Sequence, residues 1–183
     1  MSGWLRRLAR RLGGQRLPEG FPGTLAAGEN VVAVAEERSG GHLVATSLGL
    51  WLPEGERTRR VGWHLISKAV WQAGALAVVE ARQTGTAGAA VLLADLPTRR
   101  FTLTEPGRVP EVVHARVTGS IRSSHRRELP GGGAWFVQRK VPGQDGVVLQ
   151  VRADPGTDAE ALRVIAEQVA ARVDQVRRAA PDA

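Results

Sequence analysis

The stretch Val31–Pro53 reads VVAVAEERSGGHLVATSLGLWLP, and its reading decides the fold. Val31, Ala33 and Ala35 alternate with Val32 and Val34, which suits an extended strand apolar on both faces. Ser39-Gly40-Gly41 supplies turn chemistry, and His42–Leu52 runs extended again. Five further segments of the same kind follow: TRRVG (58–62), WHLISKAVWQA (63–73), ALAVVEAR (75–82), AAVLLADL (89–96) and RRFTLT (99–104). In the second of these, Trp63, Leu65, Ser67, Ala69 and Trp71 share one face if the strand is unbroken. The next stretch, PEVVHARVTGSIRSSHRREL (110–129), reads as a basic helix. Pro110 suits its first turn, and Val113, Val117 and Ile121 form a stripe at four-residue spacing. Strands first and a closing helix last predict an α+β protein: an antiparallel barrel of about seven strands, plugged at one end.

The flanks extend this plan. Residues 3–12, GWLRRLARRL, form a short amphipathic helix. Trp4, Leu5, Leu8, Ala9 and Leu12 fall within an arc of about 140°, and Arg6, Arg7, Arg10 and Arg11 fill the other side. Such a helix is too short to be stable alone and needs a surface to dock on. On the C-terminal side, PGGG at 130–133 reads as a flexible connector. Trp135–Val141 and Val147–Ala153 then flank PGQDG as a hairpin. Thr157-Asp158-Ala159-Glu160 has the form of a capping box, and the helix behind it carries Leu162, Ile165, Val169, Val173 and Val176 on one face. The expected organisation is therefore a basic arm (1–16), a linker (17–24), the barrel with its closing helix (25–128), and a hairpin–helix extension (134–179) packed on the barrel.

Composition narrows the chemistry. With 43% hydrophobic residues in 183, the chain is globular. It has no cysteine, which excludes disulfides, thiolate nucleophiles and cysteine-based metal sites. No run of eighteen apolar residues occurs, and the basic N-terminus has no apolar signal core, so the cytoplasm is the expected compartment. The formal charge of +7 is local: residues 1–16 hold +5, the 108–127 stretch +4, and the rest sums to −2. A basic balance confined to two segments points to a surface patch and not to a whole-molecule nucleic-acid binder. The absence of tyrosine also leaves few base-stacking groups.

Thr46, Leu48, Gly49, Leu50 and Trp51, then Gly62, Trp63 and Ile66, then Trp71, carry a resemblance over about residues 25–128. On these the chain resembles bacterial pleckstrin-homology-like (PH-like) domain proteins, particularly an uncharacterised actinobacterial set with a PH-like barrel and a C-terminal hairpin and helix. The resemblance implies a binding scaffold for lipids, peptides or protein partners, and it transfers no catalytic residue. Phosphoinositide-binding members carry several Lys/Arg in the first hairpin loop. Here that loop is Glu37-Arg38-Ser39-Gly40-Gly41-His42, with one Arg and an acid beside it. The tryptophan of the eukaryotic closing helix is absent from residues 110–128.

No catalytic set stands out. His42, His64, His114 and His125 lack metal-ligand spacing, although His114 and His125 would return to similar faces of one helix. Glu36-Glu37 and Glu54/Glu56 suit strand ends and loops. Ser123, Ser124 and His125 are chain neighbours that would point apart on a helix. The expected function is non-catalytic binding or scaffolding with a protein partner and no cofactor or metal. One alternative is peripheral association with the anionic inner face of the membrane through Trp4, Leu5, Arg6, Arg7, Leu8, Arg10, Arg11 and Leu12. A second is an enzyme of unidentified type.

Overall fold

The computed structural model describes residues 15–179. The protein is α+β. Its strands are β1 (Val31–Glu37), β2 (His42–Thr46), β3 (Gly49–Glu54), β4 (Arg57–Gly62), β5 (Ile66–Gln72), β6 (Ala75–Ala87), β7 (Ala90–Asp95), β8 (Arg99–Glu105), β9 (Ile121–Leu129), β10 (Gly132–Lys140) and β11 (Val147–Ala153). Helix α1 spans Val109–Gly119, and the C-terminal helix α2 spans Ala159–Ala179. The strands form an eleven-stranded, mostly antiparallel sheet in the order β4-β3-β2-β1-β8-β6-β7-β11-β10-β9, with β5 on β6. This corrects the expected barrel, since the sheet is open and has more than seven strands. The reason lies in β6. Its residues Ala75–Val78 pair with β8 and its residues Ala81–Ala87 with β7, so one long strand takes part in more pairings than the expected seven strands allow.

The chain divides into two compact units: one of residues up to Val79 with Thr98–Thr118, the other of Glu80–Pro97 with Gly119 onward. In the first, β1 to β4 form an antiparallel meander. The stretch His42–Leu52, expected as one strand, is two, because Thr46 turns the chain: its hydroxyl accepts the Gly49 N–H at 3.2 Å. Residues 63–65 form a 3₁₀ turn before β5 begins at Ile66. That turn breaks the expected alternation, so that Trp63 and Ile66 are both buried while Trp71 is 40% exposed. Leu43, Leu50, Leu52, Trp63, Ile66 and Leu76 form the core, and α1 covers it with Val109, Val113 and Val117.

The closing helix is half as long as expected. It stops at Gly119, and Ile121–Leu129 are strand β9, paired with β10. Val113 and Val117 face the core, but Ile121, the third member of the stripe, stands on β9 and is 37% exposed. The PGGG connector is also a correction. Pro130-Gly131 is the two-residue turn of the β9–β10 hairpin, with Leu129 opposite Gly132. Gly131 has φ +77°, and a side chain there would collide with the Gly156 carbonyl, so glycine is required twice over.

In the second unit β9, β10 and β11 form an antiparallel meander, β7 joins β11 in parallel, and α2 covers one face. Ala87, Ala90, Ala134, Phe136, Leu149 and Val151 meet Ala166 and Ala170 of α2, with Leu162, Ile165 and Val169 partly buried beside them. Val176, expected on the same face, is 60% exposed. The helix cap is shifted by one residue. Asp158 Oδ1 accepts the Ala161 N–H at 2.7 Å, while the Thr157 hydroxyl donates to the Gly133 carbonyl at 2.8 Å. No described helix is long and apolar enough to cross a membrane.

Candidate functional site

The strand register of the second unit places charged and aromatic side chains in one row. Trp135 on β10 lies opposite Arg152 on β11 and Arg126 on β9. Phe136 belongs to the core under α2, so its neighbour Trp135 projects from the other face of the sheet. There it is 40% exposed, a large apolar ring left in water. Both arginines are held. Arg152 Nη1 lies 3.4 Å from the Asp95 carboxylate, and Arg126 Nη2 lies 2.5 Å from Asp154 Oδ2 and also meets Glu128. Between Asp95, Trp135, Arg152 and Asp154 lies a cleft of about 510 Å³. The result is an aromatic platform with a rim of alternating sign, its polar groups fixed by ion pairs within the chain.

Further along the same β10 face, Arg139 is buried, 3% exposed. Burial, and then the neighbouring Arg152 charge, holds its guanidinium down to about 10, so it remains charged at neutral pH.

A second polar cluster sits in the first unit. Glu29 is 7% exposed and precedes β1. Its Oε1 accepts from the Thr46 hydroxyl at 2.6 Å and the Trp51 indole N–H at 3.0 Å. Its Oε2 accepts from the Ala26 N–H at 2.9 Å and from Arg60. The Arg60 guanidinium also lies over the Trp51 ring, and the Phe21 ring meets Trp51 edge-on at 5.7 Å. Burial pushes the Glu29 carboxyl up. The Thr46, Ala26 and Trp51 hydrogen bonds and the Arg60 charge outweigh it and hold the group below the ordinary carboxylate range. Two of the residues that carry the PH-like resemblance, Thr46 and Trp51, are thus two of the four donors of this clamp.

The residues singled out by sequence take other places. Trp4, Leu5, Arg6, Arg7, Leu8, Arg10, Arg11 and Leu12 lie outside the described residues. His114 is on α1 and His125 on β9, so no single helix carries them. Ser123 and Ser124 point to opposite faces of a strand. Glu37 accepts from the backbone N–H of Ser39 in its own turn, and Glu54 pairs with Arg59 at 2.7 Å and Arg99 at 3.4 Å. A cleft of about 420 Å³ opens in the first unit beside Phe21, Ser39–His42, Pro53 and Arg57. Glu19 and Glu56 also line it, so its charge is mixed. Among the described residues no group of three or more His, Asp or Glu could hold a metal.

Sequence reading missed the Trp135 row and the Glu29 clamp. The row had a usable signal: a hairpin that pairs Lys140 with Val147 must also pair Trp135 with Arg152. The clamp had none, because Glu29 meets partners 17, 22 and 31 residues away. The chain matches no protein-family model, no curated protein and no solved structure.

Proposed function

We propose that the protein is a non-catalytic binding protein of PH-like kind that engages a protein partner, with Trp135 as its anchor. One observation carries this: a tryptophan 40% exposed, set by strand register between two ion-paired arginines. Tryptophan and arginine are the side chains most enriched where protein interfaces concentrate their energy. Their fixed rim lowers the ordering cost of association. The sequence resemblance to PH-like scaffolds supports the same reading, as does a strand meander followed by α1 in the first unit. The buried carboxylate Glu29 is saturated by four donors, which suits a support of the fold and not a reacting group.

The test is capture from the native host with the intact protein and with Trp135→Ala, followed by rebinding of the identified partner in purified form. The substitution should weaken the purified pair by about 2 kcal/mol or more, roughly thirtyfold, while the melting temperature stays unchanged. Equal affinity of the two proteins for that partner overturns the assignment.

The sequence GWLRRLARRL at 3–12, which would set apolar residues and arginines on opposite sides if helical, favours a second reading, reversible association with anionic lipid. Each arginine near such a surface adds roughly 1 kcal/mol, and salt weakens that contribution. Vesicle sedimentation should show binding to anionic and not to zwitterionic lipid, lost in Leu8→Glu. Intact protein that stays in the supernatant with anionic vesicles at low salt rejects it.

A further inference from the structure

β9 ends the sheet, and among the described residues no strand lies beyond it. It is nine residues long, and its inner edge pairs with β10 without interruption from Leu129 to Ser123. A strand held straight on one side presents alternate N–H and C=O groups on the other. Proteins commonly blunt such an edge with proline, a bulge, a very short strand or charged side chains, and the last repel a strand of like charge while admitting one of opposite charge. β9 contains no proline, and its register shift is confined to the end near Arg139. Its side chains are exposed from Arg122 to Glu128 except for Ser123. Three arginines against one glutamate leave the strand at +2. Arg126 is engaged by Asp154 and Glu128. Arg122 and Arg127 stand exposed, and no ion pair among the described residues holds them.

We infer that β9 is an interaction edge that takes up an acidic, extended segment of a partner protein as an added strand. This goes beyond the Trp135 platform and does not depend on it. Backbone hydrogen bonds supply the generic part of such binding, and side chains on alternate faces supply selectivity. Arg122 and Arg126 lie on one face and Arg127 on the other, so a segment with acids at successive positions meets both faces. A second copy of β9 brings the same +2 charge, and like charges across a strand pair are destabilising. An acidic segment is the occupant that the edge fits.

The probe is a nine-residue peptide of Val, Thr and Glu with net charge about −3, titrated into the intact protein at low salt; opposite charges across a strand pair are what stabilise it. Saturable binding is expected, with peptide-to-protein amide contacts mapped to residues 121–129 by NMR. The double variant Arg122→Glu/Arg127→Glu should weaken binding by about tenfold or more, and raised salt should weaken it too. The same peptide with Lys for Glu should not bind. N-methylation of alternate peptide amides separates strand addition from charge attraction: one set should abolish binding and the other should leave it. If the double variant does not fold, the two methylated peptides on the unmodified protein decide the matter. Equal binding of both methylated peptides, contacts mapping away from β9, no binding at millimolar peptide, or a dimer formed through β9 would each overturn the inference.

Discussion

Glu29→Ala is expected to cost about 3 kcal/mol of folding stability, because it removes the buried acceptor of an ion pair whose Arg60 is partly exposed and leaves polar groups unsatisfied around the gap. The Thr46 hydroxyl, the Trp51 indole N–H and the Ala26 N–H all lose their acceptor, and Arg60 loses its counter-charge. The Glu29 side chain has no exposed surface, so water does not compensate. The same clamp fixes a pH dependence. The folded carboxyl lies below its ordinary value, so the stability it contributes is fully present above the unfolded value of about 4.3. That contribution is lost as pH falls through the folded value. Denaturant midpoints taken from pH 7 down to about pH 3 should therefore fall for the intact protein, and Glu29→Gln should flatten part of that fall. Identical slopes for the two proteins would show that the clamp does not hold a proton-linked charge.

The parts of this fold that were legible in sequence are those where burial imposes a period. β1 reads VVAVAEE in both sequence and structure, because Ala33 and Ala35 pack on one face against Leu43 and Leu50 while Val31 and Val34 pack on the other against Val44 and Trp51, so an apolar run extended on both faces is what this strand requires. The hairpin of β10 and β11, and α2 behind it, were legible for the same reason: Phe136, Leu149, Val151, Leu162 and Ile165 repeat at the spacing their core requires. β9 was not legible. It is an edge strand exposed on both faces, so IRSSHRREL carries no apolar alternation. The helical stripe Val113–Val117 could then be extended on paper to Ile121. The open sheet was hidden as well. Its extension rests on a parallel pairing of Val91 with Gln150 across the sequence, and no local pattern encodes such a partner. The site followed the same logic: exposed Trp135 leaves no mark in a burial pattern, and three of the four Glu29 donors come from three separate strands.

Among the described tryptophans, Trp63→Ala should be the most damaging substitution, at about 3–5 kcal/mol, and Trp135→Ala should lie within about 0.5 kcal/mol of the intact protein. Trp63 is 1% exposed and fills the core of the first unit. Its indole N–H donates to the Thr46 carbonyl at 3.0 Å, so alanine opens a cavity and also strands a buried acceptor. Trp63→Phe separates the two contributions: it keeps most of the volume, loses the donor, and should cost about 1–3 kcal/mol. Trp135 makes no such demand. Its ring is 40% exposed, and the arginines beside it are held by Asp95, Asp154 and Glu128 whether the ring is present or not. Equilibrium unfolding in urea, followed by circular dichroism, measures all three variants on one scale. Comparable losses for Trp63→Ala and Trp135→Ala would mean that Trp135 supports the fold, and the platform could then no longer be read as a surface kept for a partner. A large loss at Trp63 with none at Trp135 shows that the fold does not require the Trp135 ring, which is the condition that the proposed anchor must meet.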